Sequence, residues 1–310
     1  MADPVTRDDV LRAAETIRGR VHRTPLLTAS SLGSVRLKAE LFQKTGSFKV
    51  RGVLNKLASL TDEEKARGVI GISAGNHAQA LAWGAAVEGT DALVVMYQGA
   101  SEAKVAATRA YGATVDLEAE NVGEAFERLS AYVAETGRVL VHPFDDPLVI
   151  AGQGTLALEL LEDGPEVEVI LVSAGGGGLS SGVAAAASDR ARIIVVEPER
   201  STAVHSGLTA GRSVPVVPDS IADGLSAPFA GETALATLRS TGAETILVPE
   251  DAIHEAFRWL YTRAKLACEP AAATALAPLL TGQVEPKNVA VVVSGGNVSA
   301  QTASAILGKR

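Results

Sequence analysis

The sequence predicts an α/β protein carrying two mostly parallel sheets. Short runs rich in valine and isoleucine recur as strand candidates, and longer helical patterns separate them. The alternation passes through two successive series that meet near residue 145. A length of 310 residues suits two units sharing a cleft, given about 100–200 residues per domain.

Taken in order, Thr6 with Asp9 forms a capping-box-like helix start, and Val10, Leu11, Ala14, Ile17 and Val21 follow on one face. That helix is expected to stop before Thr24-Pro25, and residues 37–42 read as a strand entering the Lys44 loop. Thr61-Asp62-Glu63-Glu64 opens another helix. Strands are then expected over 69–72, 92–96, 114–117 and 139–141, with helices over 76–87, 103–111 and 122–136. After Phe144-Asp145-Asp146-Pro147 the second series places strands over 167–172, 193–196, 245–248 and 289–293, with helices over 154–161, 252–267 and 271–280. Residues 213–224, with Pro215 and Pro218, form the longest irregular stretch, the kind that borders sites.

Composition narrows the function classes. Hydrophobic residues at 47% and charged residues at 21% fit a folded globular protein and exclude a disordered one. A formal charge of -8 with no run of lysine or arginine leaves no nucleic-acid footprint. The single cysteine, Cys268, excludes an internal disulfide and a cysteine-built zinc site; it reads as a small buried hydrophobe and fits a reducing cytosol. Met1-Ala2-Asp3-Pro4 lacks signal-peptide character, and no apolar run approaches the ~20 residues of a membrane span, so a cytoplasmic protein is expected.

Several turns carry chemistry-bearing residues. In Lys44-Thr45-Gly46-Ser47-Phe48-Lys49-Val50-Arg51-Gly52, Lys49 stands just beyond a Gly-Ser turn, where its amine could form an imine with an aldehyde. The same stretch reads equally as a lysine opening a helix, with Val50, Val53 and Leu54 at helical spacing. Gly175, Gly176, Gly177 and Gly178 follow a strand and precede a helical run, which suits a phosphate cradle of backbone N–H groups; a tight turn is the alternative. The dinucleotide pattern G-x-G-x-x-G fails there in every register. Gly178-Leu179-Ser180-Ser181-Gly182 does match the nucleophile elbow G-x-S-x-G, but Ser180 is expected inside the helix, with only His205 and His254 to follow. Ser73-Ala74-Gly75-Asn76-His77 is a donor-rich turn able to hold a carboxylate or merely to cap a helix. Ser294-Gly295-Gly296-Asn297 ends a strand in the same way. No His-Glu-x-x-His or cysteine pair marks a metal site.

Together and in this order, these stretches resemble the fold-type II pyridoxal-phosphate enzymes, most closely the threonine/serine dehydratase and serine racemase branch. The resemblance also rests on Arg23-Thr24-Pro25-Leu26, Gly152-Gln153-Gly154-Thr155, Glu197-Pro198, Ala222-Asp223-Gly224 and Glu269-Pro270, and covers nearly the whole chain. It implies two open, mostly parallel sheets with helices on both faces, the tryptophan synthase beta-like fold. The large cofactor-binding domain would comprise 1–65 and 145–310 and the small domain 66–144. It implies that Lys49 holds pyridoxal 5'-phosphate covalently, that Gly175 to Gly178 bind its phosphate, that Asn76 meets the ring hydroxyl and Ser294 the ring nitrogen, and that Phe48 lies against the ring. Ser73, Ala74, Gly75, Asn76 and His77 would bind the substrate carboxylate.

The implied activity is a lyase of amino-acid metabolism, removing ammonia from L-threonine to give 2-oxobutanoate and from L-serine to give pyruvate. A homodimer is implied too. Ala74 stands where the racemases compared carry a serine serving the second face of Cα, which favours elimination over racemisation. Glu197 and Ser201 occupy two of three positions at which many relatives hold a divalent cation, but the third is Ala203, so no metal is expected. No segment follows Arg310, so feedback by isoleucine is not expected. The alternatives are a serine racemase, a dehydratase of another 3-hydroxy amino acid such as 3-hydroxyaspartate, a non-catalytic cofactor-binding homologue, and an α/β-hydrolase.

Overall fold

The computed structural model describes residues 2–308; Met1 and Arg310, on which two expectations rest, lie outside it. Strands β1 (Leu26–Thr28) and β2 (Val35–Ala39) come first, followed by β3 (Val69–Ile72), β4 (Ala92–Tyr97), β5 (Thr114–Ala119) and β6 (Val139–Leu140). The second half supplies β7 (Val169–Ser173), β8 (Arg192–Pro198), β9 (Glu244–Val248) and β10 (Val289–Val293). They form one six-stranded sheet, β1-β2-β10-β7-β8-β9, and one four-stranded sheet, β5-β4-β3-β6. Of these strand pairs, β1–β2 alone is antiparallel.

A parallel sheet covered on both faces needs apolar residues in both phases of its strands. In β7 and β10, Ile170, Val172, Ala290 and Val292 enter one core with the helices Pro147–Asp163 and Gly178–Ala187. The intervening Leu171, Val289, Val291 and Val293 enter a second core with the helix Glu250–Trp259. The small sheet repeats the scheme. Val94 and Met96 pack beside the helix Asn76–Glu88, and Leu93 and Val95 beside the helix Val122–Thr136. The helix Lys49–Ala58 joins the two halves, because its Val50, Val53 and Leu57 belong to the small sheet's core.

Glycines set how closely the helices near the cleft approach. A Cβ on Gly152 would lie 2.5 Å from the Gly52 Cα, and one on Gly154 would lie 2.4 Å from the Gly182 carbonyl oxygen. The Gly152-Gln153-Gly154-Thr155 motif is therefore a helix-crossing device. Gln153 adds a polar pin: its Oε1 accepts the Gly52 N–H at 3.2 Å, one turn beyond Lys49.

The capping box at Thr6 forms as the sequence predicts, and the helix start expected at Thr61 is also closed by one, with Glu64. Other elements differ, each for a local reason. The first helix ends at Thr16 and turns Leu11 to solvent. The strand expected over 37–42 stops at Ala39, and a 3-10 turn over Glu40–Phe42 sends the Glu40 carboxylate inward. Strand β1, three residues long, is too short to show a period. The helix expected over 154–161 begins at Pro147, because the Asp146 carboxylate accepts the Leu148 and Val149 N–H groups. The helix expected over 252–267 ends at Trp259 and passes through a π turn to Lys265, whose φ is 61°. The one expected over 271–280 splits into three short pieces, since Pro278 has no N–H for the bond back to Thr274.

Candidate active site

The parallel strands of both sheets point their carboxyl ends at a common cleft, the usual place for ligands in open α/β sheets. There lies a cavity of about 530 Å³ bounded by Lys49, Ser73 to His77, Gly175 to Gly178 and Ser294, with Phe48, Phe144, Asp223 and Glu269 completing the wall. Lys49, the glycine run, the Asn76 turn and Ser294, far apart in sequence, thus meet in one place. Each follows a strand: two 3-10 turns, Glu40–Phe42 and Lys44–Gly46, carry the chain from β2 to Lys49, β3 leads to Ser73, β7 to Gly175 and β10 to Ser294.

Lys49 is the first residue of its helix, and its Nζ donates to the Pro143 carbonyl at 2.7 Å. The ammonium lies 5.2 Å from the Phe48 ring centroid. Burial, opposed by the Glu269 charge, pushes its pKa down to about 8. The amine is therefore within reach of its neutral, nucleophilic form at physiological pH.

Two helix N-termini open on the cavity, and neither has a side-chain cap. The helix Gly178–Ala187 starts after Gly177, whose φ of 91° turns the chain so that the run can wrap inward. No backbone hydrogen bond engages the N–H groups of Gly175, Gly176 or Gly177 among the described residues. The loop packs closely on another wall residue, since a Cβ on Gly176 would meet the Phe144 ring at 2.3 Å. The helix Asn76–Glu88 likewise starts uncapped after Gly75. Ser73 does not cap it, because its Oγ accepts the Gly75 N–H at 3.1 Å. Both N-termini thus offer free donors and positive dipole ends to anions.

Asn76 also links the two halves. Its Nδ2 donates to Glu269 Oε1 at 2.7 Å, and its Oδ1 accepts from Asn297 Nδ2 at 2.7 Å. The same Asn297 amide reaches the Thr45 carbonyl at 2.8 Å, in the turn before Lys49. His77 donates from Nε2 to the Val141 carbonyl at 2.8 Å, and its buried Nδ1 has no partner among the described residues. Burial and the Lys49 charge push its pKa down to about 3, so it is a neutral ring. Sequence reasoning assigned no role to Glu269, which joins Lys49 and His77 as a third perturbed group in the cavity. Its motif, Glu269-Pro270, was visible, but its burial was not.

The elbow serine of the hydrolase alternative fails on geometry. Ser180 lies in the first turn of a fully buried helix, with its Oγ donating to the Gly177 carbonyl at 3.1 Å. His254 sits in the helix Glu250–Trp259, its Nδ1 facing the Glu250 carbonyl. Glu197 turns both carboxylate oxygens to the N–H groups of Val204 and His205, at 2.8 and 2.7 Å, and Ser201 donates to the Leu225 carbonyl. Cys268 is buried, as expected of a small hydrophobe.

The donor set suits one group in particular. A phosphate would meet the free glycine N–H groups, an aldehyde carbon the Lys49 amine, and a pyridine nitrogen the Ser294 hydroxyl, which lines the same cavity without a hydrogen bond to protein among the described residues.

Comparison with known proteins agrees. Residues 17–295 match the family described as pyridoxal-phosphate dependent enzymes. The chain is 40% identical to the L-threonine ammonia-lyase of Thermotoga maritima over 315 aligned positions, covering 98% of this chain and 79% of that one. It is similar to the crystal structure of the T.th. threonine deaminase, with a TM-score of 0.89 at 40% identity over 95% of this chain and 99% of that one. It is also similar to maize serine racemase, with a TM-score of 0.91 at 34% identity over 97% and 96% of the two chains. The chain belongs to the pyridoxal-phosphate dependent enzyme family, and its cofactor is pyridoxal 5'-phosphate.

Proposed function

We propose that this enzyme is an L-threonine ammonia-lyase, releasing 2-oxobutanoate and ammonia from L-threonine and pyruvate and ammonia from L-serine. The observation that carries the reading is the meeting of one partly neutral lysine and two uncapped helix N-termini in a single cavity. One N-terminus suits the cofactor phosphate and the other a substrate carboxylate. When bound, the cofactor supplies an electron sink that acidifies the bond to the substrate's Cα proton.

In this reading Lys49 holds the cofactor and, once displaced, takes the Cα proton as a general base fixed in place by its helix. Gly175 to Gly178 bind the phosphate, Phe48 lies against the ring, Asn76 meets the ring hydroxyl and Ser294 the ring nitrogen. Ser73 to His77 orient the substrate carboxylate. A neutral Ser294 gives the ring nitrogen no carboxylate partner, which favours rapid expulsion of the β-hydroxyl over a long-lived carbanion. Ala74 offers no hydroxyl to the second face of Cα, and Ser73 Oγ is occupied by Gly75. Elimination is therefore preferred to racemisation.

The same reading assigns residues 1–65 and 145–310 to a large domain and 66–144 to a small one, and the protein to a cytoplasmic homodimer. Among the described residues no helix is long and apolar enough to cross a membrane. It also assigns no divalent cation to Glu197, whose oxygens cap the helix Ala203–Ala210.

The test is 2-oxo acid release across L- and D-threonine, L- and D-serine and 3-hydroxyaspartate. The expected result is the highest kcat/KM with L-threonine; absence of 2-oxobutanoate sinks the reading. Borohydride reduction should fix the cofactor to Lys49, and label on Lys44 or Lys56 would refute that assignment. Activity lost to a chelator and restored by magnesium would overturn the absence of a metal.

A further inference from the structure

Glu269 belongs to the cavity wall, and the roles proposed above leave it unassigned. It is 6% exposed, and its backbone N–H donates to the Gly295 carbonyl at 3.1 Å, immediately after Ser294. Gly295 is what admits the side chain: a Cβ there would lie 2.5 Å from Glu269 Oε1.

The amide relay fixes which oxygen is free. Asn297 gives its two Nδ2 hydrogens to the Thr45 carbonyl and to Asn76 Oδ1, so Asn76 must present Nδ2 to Glu269. Glu269 Oε1 is thereby an acceptor, and any proton on this carboxyl resides on Oε2. No protein hydrogen bond reaches Oε2 among the described residues, and Glu269 lines the cavity that Lys49 lines.

We propose that Glu269 is a further catalytic residue, the general acid that protonates the departing β-hydroxyl from Oε2. This deepens the ammonia-lyase reading and rests on it. As the Cα–H bond breaks, its proton passes to the Lys49 amine and its electron pair forms the Cα–Cβ double bond. The Cβ–O bond breaks with its pair on oxygen, Glu269 Oε2–H transfers its proton to that oxygen, and water departs. Glu269 is left as carboxylate and Lys49 as ammonium; exchange with solvent resets both.

The charged groups facing Glu269 set its protonation. Burial and the Asp223 charge raise its pKa to about 7, while the Asn76 hydrogen bond, Lys104 and Lys49 pull against them. Lys104 is itself paired with Asp223 at 2.6 Å, which blunts both at this distance. A protonated fraction therefore exists at neutral pH, as a general acid requires.

The test is leaving-group dependence in the holoenzyme. Chloride leaves without a proton, so Glu269→Gln should lower kcat/KM for L-threonine and L-serine by about 10²–10⁴-fold while lowering it for β-chloro-L-alanine by less than about tenfold. Glu269→Asp should recover part of the loss with the hydroxyl substrates alone. Equal losses with both leaving groups would overturn the proposal and make Glu269 a positioning residue; retained threonine turnover would place the acid elsewhere. Infrared difference spectra of cofactor-saturated wild type and Glu269→Gln give a readout independent of turnover. A protonated carboxyl C=O band that titrates away near pH 7 in wild type and is missing from the variant is expected, and no such band overturns the proposal. Wild type that turns over chloroalanine but neither threonine nor serine would refute the ammonia-lyase reading, whereas the infrared band would still stand.

Discussion

Lys49 and Arg51 are two residues apart on one helix, the first half-buried at the cavity and the second buried, and their surroundings treat charge in opposite ways. Arg51 is fully partnered. Its guanidinium donates from Nε and Nη2 to both oxygens of Glu40, each at 2.8 Å, and to Glu159 at 2.7 and 2.9 Å. Lys38 donates to Glu159 at 2.6 Å and to the Thr24 carbonyl at 2.8 Å. Burial alone would lower Arg51, but Glu40 and Glu159 raise it well above its usual range. Burial likewise raises Glu159, and the hydrogen bonds and charge of Arg51 and Lys38 outweigh it and hold the carboxyl below the usual range. On the cavity side Lys49 has one carbonyl partner and Glu269 one amide, so burial wins and draws them to about 8 and about 7. Pairing drives Arg51 and Glu159 apart, although burial still lowers Lys38 beside them. Incomplete pairing brings Lys49 and Glu269 together, into the range where protons move near neutral pH.

Substitutions on either side of this contrast should fail in different ways. Lys49→Ala should reduce turnover by about 10⁴-fold or more, the upper end of general acid–base contributions, and abolish reducible attachment of the cofactor. Urea unfolding of the cofactor-free variant should show no loss of stability, since an incompletely paired, half-buried amine is removed. A destabilised Lys49→Ala protein would break the contrast.

Arg51→Met should do the reverse. It leaves Glu40 buried without its partner, and loss of one member of a buried pair costs about 3–5 kcal/mol. The expected outcome is a lower urea midpoint, and any fall in turnover should track the unfolded fraction.

The pH dependence of stability sharpens the comparison. Glu269 has a folded-state pKa raised from 4.5 to about 7, so the native state holds its proton more tightly than the unfolded chain. Its stabilising contribution is complete below about pH 4.5 and is lost as pH rises through about 7, a change of about 3 kcal/mol. Glu269→Gln should flatten that part of the curve. Glu197, pushed up to about 8 by burial, adds a slope of the same sign that the variant keeps. Glu159 has the opposite sign, since its carboxyl is held down and its contribution is lost on acidification below the usual carboxylate range. Denaturant titrations between about pH 2 and 9 would read both; an unchanged slope in Glu269→Gln would show that Glu269 is not the titrating group.

The smallest effect belongs to the cleft mouth. Lys104 and Asp223 pair at 2.6 Å, but Asp223 is 62% exposed. Lys104→Met should change stability by less than about 1 kcal/mol and leave the urea midpoint nearly unaltered. A loss as large as that of Arg51→Met would mean that exposure does not separate the two kinds of pair.

The chain's own pattern determined the fold class. Val69–Ile72, Val122–Thr136 and Val289–Val293 stand where their composition places them, because valine-rich strands buried on both faces and caps such as Asn121 are local signals. Lys49, Gly175 to Gly178, Asn76 and Ser294 were also legible, as turns following strands. Tertiary structure decided the rest. It showed that Gly152 and Gly154 serve helix crossing, that Glu40 turns inward instead of extending a strand, and that Glu269 has one amide partner in the cavity while Arg51 is saturated. The reason is physical: strand and helix signals arise between residues a few positions apart, whereas burial and the count of hydrogen-bond partners depend on groups brought together across the fold. Two cations at positions 49 and 51 look alike in sequence, and only their distant neighbours leave one with a single carbonyl partner at the cavity and the other fully paired.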